Sequence, residues 1–176
     1  HIRKYRMQTK VVLVTTIILI LLPAIYFYFC EFSGFSMRER IYLSPRSLED
    51  IEVFTKWLND MEVTDYTGRT HLLMSLDSER KYLESRNLET EPAFSIVTLE
   101  NDKMIGSISI ENINMQNRTG VLGLFIGDEE YRNNGYGTEA IRLILDYAFN
   151  YLNLNSIKLD VMEFNGRAIA CYKKCG

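Results

Sequence analysis

The sequence predicts an α+β domain, a mostly antiparallel sheet flanked by helices, and three observations predict it. Phe94 to Leu99, Met104 to Ile110 and Val121 to Ile126 are apolar, partly alternating runs. Short turns at Asn101-Asp102 and Asn114 to Arg118 separate them, which is the pattern of an antiparallel meander. A glycine-containing loop then leads into Ile141, Ile144, Leu145, Ala148 and Leu152, the apolar stripe of a helix of about four turns starting near Thr138. Ser156 to Val161 alternates as a fifth strand, and Asn165 to Lys174 reads as a closing helix.

The elements before the meander follow the same logic. Arg40 to Leu43 reads as a first strand. Ser47 with Asp50 three positions on is a helix start signal, and Leu48, Ile51, Trp57 and Leu58 form an approximate stripe ending near Asp60. Trp57 is expected in the core. Asp77 to Arg86 is a second helix, rich in charge, whose simplest reading is a solvated face.

A chain of 176 residues is expected to hold one domain with a sizeable core. Its net charge of −3 is unevenly distributed: Arg3, Lys4, Arg6 and Lys10 against Glu31 give residues 1–36 a charge of +3, leaving −6 on the remainder. An acidic globular part argues against nucleic acid as a partner and mildly favours a cationic amine. Cys30, Cys171 and Cys175 lack any C-x-x-C spacing, so neither a disulfide framework nor a metal site is expected. Only His1 and His71 are available as histidine ligands, and His71 is expected to be an ordinary surface residue.

Val11 to Cys30 is twenty residues without a charge, long enough to span a bilayer, and four basic residues precede it. Three readings stay open: an anchor, a cleaved targeting segment, or a leader foreign to the native protein. The last is favoured, because Met37-Arg38-Glu39-Arg40 looks like a natural domain start. The expected division is therefore a leader over residues 1–36 and a domain over 37–176. The expected location is cytoplasmic, with membrane anchoring through residues 11–30 as the alternative.

The loop carries the chemistry. Arg132, Gly135 and Gly137 within Tyr131-Arg132-Asn133-Asn134-Gly135-Tyr136-Gly137-Thr138 have the spacing R-x-x-G-x-G. Glycines let the backbone approach a ligand closely, and the unpaired N–H groups of the following helix make a cradle for phosphate. The spacing matches neither the dinucleotide nor the P-loop fingerprint. In the last helix Asn165, Ala168 and Tyr172 share one face.

Together with N-x-x-A-x-x-x-Y-x-K-x-G from Asn165 to Gly176, the loop resembles the GNAT (GCN5-related) acetyl-CoA-dependent N-acetyltransferases. The likeness is strongest to the branch of ribosomal-protein N-terminal and spermidine acetyltransferases. It implies a mixed, mostly antiparallel sheet with acetyl-CoA between its fourth and fifth strands. Family members continue with two more strands beyond the position of Gly176, so the chain is expected to be a C-terminally truncated fragment.

The resemblance also implies roles. Backbone groups from Arg132 to Thr138, with Asn133, Asn134 and Tyr136 between the glycines, would hold the diphosphate, and the Arg132 side chain would add a charge-assisted contact. Leu124, Phe125 and Ile126 would pair with the pantetheine arm, one N–H polarising the thioester carbonyl, worth roughly 3 kcal/mol. Asn165 would hydrogen-bond the arm, cap its helix, or both. Tyr172 would protonate the leaving thiolate or merely pack against it. Asp77, Glu79 and Glu84 border the acceptor side, where they are candidates for holding an amine.

Many relatives carry a glutamate in an A-E-L-G context before the loop, where this chain has Gly120-Val121-Leu122-Gly123. Val121 stands in the acid's place. Glu111, Asp160 and Glu163 are nearby acids without the matching position, so the base is unassigned and a water route is equally open. The expected partners are a small-molecule or peptide amine and a second copy of the chain. A coenzyme-binding module without turnover, or a membrane-anchored structural domain, are the competing classes.

Overall fold

A computed structural model describes residues 40–68, 73–86 and 90–176. The hydrophobic run Val11 to Cys30, the start at Met37, and His71 lie outside the described residues. Residues 40–176 form one compact unit.

Strand β1 (Ile41–Pro45) is followed by a 3-10 turn, Leu48–Asp50, and helix α1 (Ile51–Leu58). The Ser47 start signal is realised: its Oγ accepts from Glu49 N at 3.2 Å and its own N–H donates to Asp50 at 3.2 Å. The buried stripe of α1 is Ile51, Phe54 and Trp57, whereas Leu48 is exposed, because the 3-10 turn offsets it from the α-helical period. A short helix α2 (Met61–Thr64) and α3 (Leu76–Ser85) complete this side.

Strands β2 (Ala93–Thr98), β3 (Met104–Asn114) and β4 (Thr119–Ile126) form the expected meander. Helix α4 spans Tyr136–Asp146, starting two residues before the expected Thr138, and ends in a π-helical turn, Tyr147–Tyr151. Strand β5 (Ser156–Lys158) and helix α5 (Gly166–Lys173) close the described chain. The sheet runs in order β1-β2-β3-β4-β5, antiparallel except for the β4–β5 pair. That makes it mixed, as expected.

The two sheet faces differ in kind. Ile108 and Ile110 of β3 join Ile96, Leu122, Ile141, Ile144 and Ala148 in the main core, each large side chain contributing about 1.5–3 kcal/mol on burial. The alternate β3 residues, Ser107, Ser109 and Glu111, face a cleft instead. Trp57 is buried as expected, edge-on to Phe125 at 6.2 Å. It lies so close over Gly127 that no Cβ fits there.

Candidate active site

The site begins where one strand pair stops. β4 pairs with β5 only through Thr119↔Ser156, Gly120↔Ile157 and Val121↔Lys158. β4 runs on to Ile126, so residues 122–126 leave their backbone edge on that side without a strand partner. The chain expected to continue β5 through Val161 turns away, and Asp160, Val161 and Met162 line the opening wedge. Alternation in the sequence persists there, but pairing does not. The result is a cleft of about 700 Å³.

At the end of β4 the loop turns into α4. Asn133 (φ +61°) and Gly135 (φ +87°) both adopt the left-handed region. Alternating hands of this kind turn successive N–H groups toward one concavity. Gly135 is the N-cap of α4 and offers no side-chain cap, so the first-turn N–H groups are open to an anion. Gly137 lies within that first turn, where a Cβ would sit 3.7 Å from Cys171 Sγ and Leu124 Cδ2. The protein itself thus has room for a Cβ at 137.

Two arginines fasten this loop. Arg40 Nε meets Glu139 at 2.9 Å and its Nη2 donates to Asn134 O at 3.0 Å. Its guanidinium lies 4.1 Å over the Tyr136 ring, a cation–π contact. By pairing Glu139, Arg40 neutralises the acid in the first turn that would repel an anion. Arg132 lines the cleft, and its guanidinium has partners within the protein. Its Nε donates to Ile126 O at 3.2 Å, its Nη2 to Gly127 O at 2.7 Å, and its Nη1 lies 3.4 Å from Glu62. The physical reason is local: the end of β4 leaves those carbonyls without strand partners, and a guanidinium supplies both donors.

Of the residues expected at the coenzyme, Leu124, Phe125, Ile126, Arg132, Asn133, Gly135, Tyr136, Gly137, Thr138, Asn165 and Tyr172 all line the cleft. Asn134 does not; its amide donates to Glu130 O at 2.9 Å and its carbonyl receives Arg40. Asn165 Oδ1 accepts from Ala168 N at 3.1 Å, so it caps α5 while lining the cleft. Helix α5 is held against the cradle by sulfur contacts, Cys171 Sγ to Thr138 Oγ1 at 3.2 Å and Cys175 Sγ to Thr138 O at 3.9 Å. Both cysteines are free. Burial, with Cys171 second, pushes the Tyr172 phenol above its usual pKa, which keeps it protonated.

The opposite end of the cleft is polar. Glu79, read as part of a solvated face, is instead fully buried and ion-paired with Arg46, whose guanidinium stacks on Phe54 at 3.2 Å. Burial lowers the Arg46 pKa, against the pull of Glu79. Asp77 keeps the solvated reading, paired with Lys81 at 2.7 Å, and Glu84 is exposed. Arg86 is almost wholly buried and bridges Glu91 and Glu111, each at 3.6 Å. Sequence reasoning missed Arg40, Arg46 and Arg86; their partners Glu139, Glu79 and Glu111 lie far along the chain, so no local spacing signals these pairs.

These features fit coenzyme A: an open strand edge for its amide-bearing arm and a glycine-flanked helix mouth for its diphosphate. Comparison with known proteins points the same way. The family model for the acetyltransferase (GNAT) domain matches residues 40–176. An uncharacterized N-acetyltransferase, p20, of Bacillus licheniformis is 31% identical over 135 residues, 74% of this chain and 75% of that one. A probable N-acetyltransferase of Bacillus subtilis (strain 168) is 33% identical over 107 residues, 58% and 59% of the two chains. Among solved structures, spermidine N-acetyltransferase from Vibrio cholerae in complex with CoA and spermine superposes with a TM-score of 0.71. It is 25% identical, over 78% of this chain and 80% of that one.

Proposed function

The chain belongs to the GNAT acetyltransferase family, an acyltransferase enzyme using acetyl-CoA, and on that premise we propose that it acetylates a primary amine. The acceptor is a small polyamine or amino-sugar, or a protein N-terminus. The observation that carries this is the wedge between β4 and β5, which ends at the α4 mouth with Tyr172 on its wall. Acetyl-CoA supplies the activated acetyl group. The chain's residues do the rest. N–H groups from Gly135 to Thr138 hold the diphosphate. The free edge of residues 122–126 aligns the arm and donates to the thioester carbonyl. Asn165, its Oδ1 engaged in the cap, offers its amide N–H to the arm. Tyr172 keeps a proton at its phenol oxygen for the departing sulfur.

The amine character of the acceptor is supported by the polyamine-bound Vibrio cholerae relative. The enzyme works where acetyl-CoA is held, which favours the cytoplasm. Among the described residues no helix is long and apolar enough to cross a membrane. A thiol-release assay with acetyl-CoA and a panel of polyamines, amino-sugars and N-terminal peptides tests the proposal. Release dependent on an amine, with the acetylated product seen by mass, is expected; uptake of acetyl-CoA with no turnover on any amine would refute it.

A further inference from the structure

Val121 stands where the family resemblance leads one to expect an acid, yet a carboxylate stands directly beside it. In the β3–β4 register Glu111 is the cross-strand partner of Val121. Partners in an antiparallel pair share a face, with Cβ atoms about 4.5–5.5 Å apart. A carboxylate is thus available one strand away from Val121.

Several features around Glu111 hold it there. Ser109 Oγ donates to its Oε1 at 3.1 Å, and Arg86 Nη1 lies 3.6 Å from the same oxygen. Arg86 is itself fixed by Tyr82 Oη at 3.2 Å and Glu91 O at 3.2 Å. A register irregularity follows Glu111 at once, between Glu111 and Asn114, with Asn112 at φ +52°. Bulges of this kind re-aim side chains. On β4, Gly123 faces the same space: a Cβ there would lie 2.9 Å from Ser109 Oγ and 3.9 Å from Glu111 Oε1. The missing side chain at 123 keeps the front of the carboxylate open to the cleft, which Glu111, Ser109 and Gly123 all line.

We propose that Glu111 is the catalytic base, receiving a proton from the acceptor ammonium, a role that rests on the amine acetylation proposed above. Glu111 takes one proton from the ammonium, freeing the nitrogen lone pair. That pair forms the bond to the acetyl carbon as the carbon–sulfur bond breaks, its electrons leaving on sulfur. Tyr172 gives its proton to the sulfur, and the excess proton on the new amide nitrogen returns to the phenolate through water. Glu111 then loses its proton to solvent, so one proton is released per turnover. The charged group facing Glu111 is Arg86 from the end of α3, with Glu91 behind it; Lys158 on β5 is in register with Val121, and Asp160 lines the same cleft.

The test is Glu111→Gln, which keeps the shape and the oxygen that Ser109 bonds. The purified chain is assayed for acetyl transfer across pH 6 to about 10 with whichever amine the wild type accepts, alongside coenzyme A affinity and thermal melting. The expected result is an about 100-fold lower kcat/KM near neutrality, unchanged coenzyme affinity, a folded protein whose melting temperature falls modestly because Arg86 loses one charged partner, and a log rate that climbs with unit slope toward the amine's own pKa. Glu111→Asp should recover part of the rate and the wild-type profile shape. Adding Val121→Glu to the glutamine variant should restore at least tenfold, since it returns a carboxylate to the neighbouring strand. A folded Glu111→Gln enzyme within about threefold of wild type, with the same pH profile, would overturn the assignment while leaving amine acetylation intact. A wild type inactive on every amine would overturn both.

Discussion

At Tyr172, the acid of the proposed reaction, burial sets the protonation state. Burial penalises the phenolate, so the phenol stays protonated past its usual value of about 10. It is a weaker acid than free tyrosine, but it is loaded at neutral pH, and in the proposed reaction closeness to the sulfur has to supply the rest. Tyr172→Phe is expected to lower kcat by about 100-fold, with coenzyme affinity held within a few fold. The wild-type profile should show no alkaline fall from this group below about pH 10, and a steady-state pH series checks both. At Glu79 the stakes are structural. Removing one member of a buried ion pair leaves the other uncompensated, so Glu79→Gln should cost about 3–5 kcal/mol, read from denaturant unfolding. That acid was legible as a helix residue but not as a buried one. Its neighbours Asp77, Arg80 and Lys81 are all charged, and the partner that draws Glu79 inward is Arg46, on another part of the chain.

The elements show where periodicity is informative. The meander was legible because turns with polar tips separate apolar runs, and the α4 stripe because Ile141, Ile144 and Ala148 all reach the same core. Periodicity failed at β5, where Leu159 and Val161 keep the alternation after the pairing to β4 has ended at Lys158. Side-chain pattern reports faces, not hydrogen-bond partners. Arg132 shows a related limit: its place before the glycines was visible, but its partners, the carbonyls of Ile126 and Gly127, were not. Arg40 has the complementary task of tying β1 to the loop. In its contact with Glu139 the two side chains are 44% and 20% exposed, and such a partly exposed pair contributes little to stability, about 1 kcal/mol or less. Arg40→Ala should therefore leave melting nearly unchanged while weakening coenzyme binding several-fold, because the freed Glu139 carboxylate then faces the anion. Calorimetric titration beside a melting curve separates the two effects.

The whole molecule places two unlike ends in one cleft. One end is built from backbone donors and suits an anion. The other collects acids and arginines in cross-linked pairs, with Glu111 in reach of the opening. β4 joins them, one edge paired to β3 and the other free beyond Val121. The anion end was largely readable, since glycine spacing and a helix start are local signals. The acceptor end was not, because its arrangement depends on strand register and on ion pairs distant in sequence. The central claim is the grip of the helix mouth on the diphosphate, and Gly137 is its cleanest probe. Gly135 needs its left-handed backbone, so replacing it would confound folding with binding, whereas position 137 has space in the protein for a Cβ. Calorimetric titration of coenzyme A into Gly137→Val and wild type is the direct measurement. Loss of one or two charge-assisted contacts at about 1.5–3 kcal/mol each predicts affinity at least tenfold weaker at an unchanged melting temperature; an equally stable variant binding coenzyme A as tightly as wild type would contradict the account.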